Sequence, residues 1–196
     1  MNRFKTAVIL AGGKSSRMKF DKQFLNIKGI RLMDSLIDKL KLEFEEIIIV
    51  TNKKEFYKDY KIKIVSDEIK DKGPLSGIHI GLKEASSEYV YFIACDMPIV
   101  NLEYINYMKN IITDVDVCVT RSQNHIEPLN SFYNKSIINK IEEYIDNDRR
   151  SLFSFINSID SMYIDEGKAR EFSPNWDMFK NLNTQEDLII DNKLSL

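Results

Sequence analysis

Two glycines and three cations crowd into the stretch that follows the first apolar run of the chain. Thr6–Leu10 is the run, Leu10-Ala11-Gly12-Gly13 ends it, and Lys14, Arg17 and Lys22 follow within nine positions of the glycine pair. Paired glycines tolerate positive φ and carry no Cβ, so backbone N–H groups can turn toward the oxygens of an anion while the cations neutralise it. A glycine pair alone would mark only a solvated turn; the basic residues point instead to a phosphate ligand. Two acids sit in comparable places. Asp96 ends the apolar run Tyr89–Cys95 at an abrupt Asp-Met-Pro break. A carboxylate buried there needs a cation to meet it. Mg²⁺ typically takes one or two protein carboxylates and completes its shell with phosphate oxygens and water. The other use for Asp96 is to cap the next helix. Asp67 follows Ile62–Val65 and could accept from the N1–H and exocyclic amine of guanine, from ribose hydroxyls, or from solvent. Gly73-Pro74-Leu75-Ser76-Gly77 forms a second glycine-rich turn.

Strands and helices must carry these groups. Glu46–Thr51 and Tyr89–Cys95 are continuous apolar runs of strand length, as expected for parallel strands covered on both faces. Leu32, Leu36, Ile37 and Leu40 recur at helical spacing and predict an amphipathic helix over 31–44. Phe24–Gly29 reads as a short extended piece, 53–60 as a short helix and 78–85 as a helix beginning beyond the second glycine turn. Asn101 is placed to cap a helix that runs to about Ile112, with Glu103 in its first turn. Val115–Thr120 and Leu129–Tyr133 pair as strands across the polar turn 121–124. Helices are expected over 136–144 and over a segment that Arg149-Arg150-Ser151 opens and that runs through Ile156, with a weak strand over 162–164 and a last helix capped by Thr184. Alternating strands and helices imply a parallel sheet with right-handed crossovers, whose ligands bind beyond the carboxyl ends of the strands. The glycine loop, Asp67 and Asp96 each follow a strand directly, so a parallel arrangement would converge them at one edge.

Composition narrows the function classes. The chain has 196 residues, 43% of them hydrophobic and 30% charged, with a net charge of -2. That suits one compact domain and lacks the basic excess of a nucleic-acid binder. No apolar run reaches the length of a membrane span, and the start Met1-Asn2-Arg3-Phe4 lacks the layout of a signal peptide, so the expectation is a cytoplasmic protein. Cys95 and Cys118 lie in separate apolar strands and read as buried thiols. His79 and His125 have no metal-type neighbour in sequence, and Arg149-Arg150 reads equally as a phosphate clamp or a solvated basic pair.

Leu10-Ala-Gly-Gly-x-Ser-x-Arg17-Met-x-x-Asp21-Lys22 resembles the signature loop of the nucleotidyltransferases that share a Rossmann-like fold with GT-A glycosyltransferases, and within them the molybdenum cofactor guanylyltransferases. Its glycine spacing matches neither a Walker loop nor a dinucleotide fingerprint. Lys19 stands where the family usually has Gly. Asp96 matches the family's metal-binding Asp-x-Pro element, Gly73–Gly77 its Gly-Pro-Leu-x-Gly turn, and Glu127-Pro128-Leu129 an element near the second substrate. Asn181-x-Asn183-Thr184-x-Glu186-Asp187-Leu188 matches the family's C-terminal motif, with Gln185 in place of Pro. The resemblance implies a three-layer α/β/α domain over 1–196 with a mostly parallel sheet, its nucleotide-binding half over about 1–100 and its acceptor-binding half over about 101–196. It implies transfer of GMP from GTP to the terminal phosphate of molybdenum-molybdopterin, with release of pyrophosphate, and molybdoenzymes as recipients of the product. Leu10, Ala11, Gly12, Gly13, Lys22, Asp67 and Asp96 would bind nucleotide, Arg17, Lys22 and Asp96 would be catalytic, Asp96 would hold Mg²⁺, and Asn181 and Asn183 would face the acceptor. A CTP- or sugar-1-phosphate-dependent relative on the same scaffold, or a non-catalytic nucleotide-binding module, is the alternative.

Overall fold

The computed structural model of the chain describes residues 3–12, 26–27, 30–69, 72–123 and 125–182. Its centre is strand β1 (Thr6–Leu10), buried at all five positions. Parallel strands carry apolar side chains on both faces because helices cover both. Ala7 and Ile9 accordingly enter one core, and Val8 and Leu10 the other.

A short antiparallel ribbon, β2 (Asn26–Ile27) and β3 (Ile30–Arg31), leads into α1 (Leu32–Leu40). Leu32, Met33, Leu36, Ile37 and Leu40 form the buried face of α1. The helix stops four residues before the expected Phe44, which stays buried although the chain has already turned. After β4 (Glu46–Val50) comes a single 3₁₀ turn (Lys54–Tyr57) and the short β5 (Lys63–Val65). Helix α2 (Pro74–Glu84) follows, then β6 (Tyr89–Ala94) and α3 (Leu102–Ile111). Asn101 caps α3 as its position predicts, accepting from the Tyr104 N–H at 2.9 Å. The rest is β7 (Val117–Ser122), β8 (His125–Asn134), a 3₁₀ turn, α4 (Ile138–Asp146), α5 (Leu152–Ile156), β9 (Ser161–Asp165) and α6 (Glu166–Phe172). Neither α6 nor the 3₁₀ turn at Asp177–Phe179 was visible as a periodic pattern, since each is short and polar in part.

The strands form one seven-stranded sheet in the order β5-β4-β1-β6-β8-β7-β9. Within it β8 alone runs against its neighbours. Helices α1, α3 and α6 cover one face through Leu36, Tyr104, Met108 and Ala169, and α2, α4 and α5 cover the other through Ile78, Leu82, Ile141 and Phe155. This is the mostly parallel three-layer α/β/α arrangement that the family resemblance implies, and its parallel strands are those that the alternation of strands and helices predicts. The connection from β1 to β4 steps one way along the sheet, and the connection from β5 to β6 returns across β4 and β1 over the opposite face. The direction of winding therefore reverses between β1 and β6, where an open α/β sheet leaves a crevice beyond its carboxyl ends.

Among the described residues no helix is long and apolar enough to cross a membrane. Cys95 and Cys118 are buried thiols, and burial pushes the Cys118 thiol up to about 12. His79 is likewise interior, its Nε2 2.8 Å from Glu142 Oε1 across the α2–α4 packing.

Candidate active site at the carboxyl edge

Backbone hydrogen bonds carry the central strands past their last paired residues. Ala11 N–H donates to Val50 O at 2.8 Å, Thr51 N–H to Val65 O at 2.8 Å, and Cys95 N–H to Leu10 O at 3.0 Å. These bonds hold Leu10–Gly12, Asn52, Asp67 and Asp96 at one edge of the sheet. The convergence expected of the glycine loop and the two acids is thus observed for its described members, with one refinement. β6 is the direct neighbour of β1, whereas β5, which delivers Asp67, lies beyond β4. Gly13, Lys14, Arg17, Lys19, Lys22 and Asn183 lie outside the described residues.

The second glycine element is not a turn before a helix. It is the first turns of α2 itself, with Pro74 at the N-terminus, where its missing N–H costs nothing, and Gly73 before it at φ 67°. Further in, Gly77 lies so close to the β1 exit that a Cβ there would sit 3.0 Å from Leu10 Cδ2 and 3.8 Å from Asp67 Oδ1. The positive end of α2 therefore faces the edge at which Asp67 arrives.

Asp67 is half-buried and only partly satisfied. Its Oδ2 accepts from Asn52 Nδ2 at 3.4 Å, while Oδ1 is buried with no hydrogen-bond partner. Burial pushes its carboxyl above the ordinary range, and the bond from Asn52 opposes the shift. An unmatched buried acceptor costs roughly 1–3 kcal/mol, which a ligand donor would restore. Asp96 is not the cap of α3, since Asn101 fills that position five residues on. The capping use is thereby removed, and Asp96 lies at the winding reversal. Among the described residues no three His, Cys, Asp or Glu side chains gather as a metal cage. One hard oxygen donor fits a cation that draws its other ligands from phosphate and water.

The second half of the chain closes the edge from the other side. The pairing of β7 with β8 shifts register between Cys118 and Thr120, so that Glu127 stands opposite Thr120 and residues 128–131 bulge. Asn130 adopts φ 62° in that bulge, accepting from Tyr91 O–H at 2.5 Å and donating to Met178 O at 3.2 Å. Bulges of this kind re-aim side chains at sheet ends. The segment 176–182 lies across it, with the Trp176 indole N–H directed at Glu127 Oε1, Met178 on Asn130, and Leu182 N–H donating to Asp96 O at 2.8 Å. Asn181, expected on the acceptor side, directly precedes Leu182 in that segment. Arg149 and Arg150 follow Asp148, which Lys72 holds at 2.7 Å just ahead of α2. Sequence reasoning did not single out Asn52, Asn130 or Trp176. Their roles depend on register and on a bulge, neither of which leaves a local pattern.

Residues 7–162 match the model of the MobA-like NTP transferase domain. The chain is 51% identical over 187 residues to the molybdenum cofactor guanylyltransferase of Syntrophotalea carbinolica, an alignment that covers 94% of this chain and 89% of that protein. It is 48% identical over 192 residues to the probable molybdenum cofactor guanylyltransferase of Peptoclostridium acidaminophilum, covering 94% and 87%. The crystal structure of molybdopterin-guanine dinucleotide biosynthesis protein A from Archaeoglobus fulgidus superimposes with a TM-score of 0.84 at 22% identity, over 96% of this chain and 97% of that one. At that identity the superposition speaks for the fold.

Proposed function

The chain belongs to the family of MobA-like NTP transferases, and from that premise we propose that it is a molybdenum cofactor guanylyltransferase. It transfers GMP from GTP to the terminal phosphate of molybdenum-molybdopterin. A phosphate oxygen of the acceptor forms a bond to the α-phosphorus of GTP, the bond from that phosphorus to the bridging oxygen breaks, and pyrophosphate leaves. A phosphate monoester is already anionic near neutrality, so the reaction needs no nucleophile-base pair. Positioning and charge neutralisation supply the rate.

The observation that carries the choice of base is the buried, unpartnered Oδ1 of Asp67. A carboxylate offers two acceptors, and guanine presents two adjacent donors in N1–H and its 2-amino group. Cytosine presents one donor beside the N3 acceptor, which would repel the second carboxylate oxygen. Leu10–Gly13 and the N-terminus of α2 frame the nucleotide, and Arg17 and Lys22 neutralise its phosphates. Asp96 would hold a divalent cation, Mg²⁺ in this reading, which when bound offsets charge on the polyphosphate. Asn181 and Asn183 are assigned to binding the acceptor. The reading takes 1–196 as one nucleotidyltransferase domain, nucleotide in the first half and acceptor in the second, working in the cytoplasm and supplying molybdoenzymes.

The test is pyrophosphate release by the purified chain with the molybdenum pterin, Mg²⁺ and either GTP or CTP. GTP should support turnover and CTP should not. Lys22→Ala and Asp96→Ala should each lose turnover while unfolding within a few degrees of the wild type. One charge pair at about 4 Å and an effective dielectric near 20 is worth about 4 kcal/mol, or roughly a thousandfold in rate. A preference for CTP removes the guanylyl assignment, and tight GTP binding without pyrophosphate release makes the chain a sensor.

A further inference from the structure

Two carboxyl groups among the described residues are pushed above their ordinary range by burial, and both lie at the carboxyl edge: Asp67 on the nucleotide side and Glu127 on the other. Glu127 is held without a full ionic partner. Its Oε1 receives the Trp176 indole N–H at 3.4 Å and stands 3.4 Å from Nε2 of His125, whose own side chain is 70% exposed. Trp176 is fixed in turn. Its ring is 4.6 Å from that of Phe179 and lies 4.9 Å under the Arg170 guanidinium, and its backbone adopts φ 64°. The indole therefore serves to aim Glu127 rather than to stack on a ligand. From Trp176 the same segment runs past Asn130 to Leu182, which is bonded to the backbone of Asp96. Six residues of chain span at most about 20 Å. Glu127 thus stands at one end of a short strap whose other end is at Asp96, to which the proposed function assigns the cation beside the reacting phosphates.

We propose that Glu127 is the specificity residue for the pterin of the acceptor, its carboxylate accepting from N3–H and the 2-amino group while Trp176 positions it. This rests on the guanylyltransferase reading above. A pterin carries the same 2-amino-4-oxopyrimidine edge as guanine, with two adjacent donors that match the two oxygens of a carboxylate. The two half-buried acids at the two ends of the edge then read the two chemically equivalent heads of the product. An acid fully satisfied within the fold would have no reason to sit desolvated there with a weak indole bond and an exposed imidazole as its neighbours.

The test uses Trp176, the single tryptophan of the chain, as its own reporter. The full-length protein is titrated with 6-hydroxymethylpterin phosphate and with the lumazine analogue, in which an oxo group replaces the 2-amino group, and the tryptophan emission is followed. Wild type should bind the pterin at least about tenfold more tightly than the lumazine, because the oxo group sets an acceptor against a carboxylate oxygen. Glu127→Gln should reverse the preference, since the amide N–H₂ can donate to the oxo group while its carbonyl still accepts from N3–H. GTP affinity measured by calorimetry should be unchanged in the variant. A purely structural role for Glu127 would not produce the reversal. Equal preference in wild type and Glu127→Gln, with pterin bound by both, overturns the assignment alone. Failure of the wild type to discriminate pterin from lumazine overturns it even if the variant does not fold. Failure of the wild type to bind GTP overturns the underlying function with it.

Discussion

Asp67→Asn separates binding from stability by giving them opposite signs. In the wild type Oδ1 is buried without a partner, Oδ2 has only a 3.4 Å bond from Asn52, and burial holds the carboxyl above its ordinary range. The amide is nearly isosteric and carries no charge to desolvate, so the unliganded variant should unfold no lower than the wild type. A group whose pKa is raised in the fold contributes stability below its unfolded pKa and loses it as pH rises through the folded value. Wild type should therefore lose stability relative to Asp67→Asn across and just above the usual carboxylate range, and the gap should level off at higher pH. GTP binding should move the other way. The variant replaces a charged acceptor with a group that can turn a donor toward a donor. Bonds to charged groups contribute about 1.5–3 kcal/mol, so affinity should fall by roughly tenfold to a hundredfold. Calorimetric titration of GTP with Mg²⁺ and thermal unfolding over a pH series measure both quantities on one preparation. Unchanged GTP affinity together with a melting temperature lowered by many degrees would refute the argument, and would make Asp67 a structural acid.

Two further outcomes follow from the packing around that site. Gly81→Ala would set a Cβ 2.6 Å from Phe92 Cε1 and 3.1 Å from Val8 Cγ1, lifting α2 from the sheet at an overpacking cost of about 1–3 kcal/mol. The gain in helix propensity returns about 1 kcal/mol, so chemical denaturation should show a net loss. Glu46 should govern part of the acid limb. Burial pushes its carboxyl up, but bonds from Thr6 Oγ1 at 2.5 Å and from Ser86 N–H and Oγ at 2.9 and 2.7 Å hold it below the usual range. Its stabilisation is present above the unfolded carboxylate pKa and lost as pH falls through the lowered folded value. Glu46→Gln should accordingly flatten the stability profile in acid, as followed by urea midpoints from neutral pH downward.

Much of this molecule is legible one segment at a time. Continuous apolar runs such as Thr6–Leu10 and Tyr89–Ala94 declare buried parallel strands because a strand covered on both faces has no polar side to show. The spacing of Leu32, Leu36, Ile37 and Leu40 declares a helix with one buried stripe. Leu10–Gly12, Asp67 and Asp96 could be expected at one edge because each follows a strand, and an α/β sheet presents its ligands there. Strand order is another matter. A crossover helix of given length can return its strand to either side, and only the packing of the whole sheet placed β6 against β1 and set β5 beyond β4. The opening of α2 at Pro74 has a local signal, a proline at the first helical position, but that Leu10 and Asp67 lie against Gly77 appears only in the tertiary structure. The meeting of Glu127 with Trp176, 49 residues apart, needs the β7–β8 bulge and the positive φ of Asn130 and Trp176 together. Periodicity is written in neighbours along the chain and can be read there. Register, desolvation and the unmatched oxygen of an acid arise between elements distant in sequence, and exist only once the layers have closed on one another.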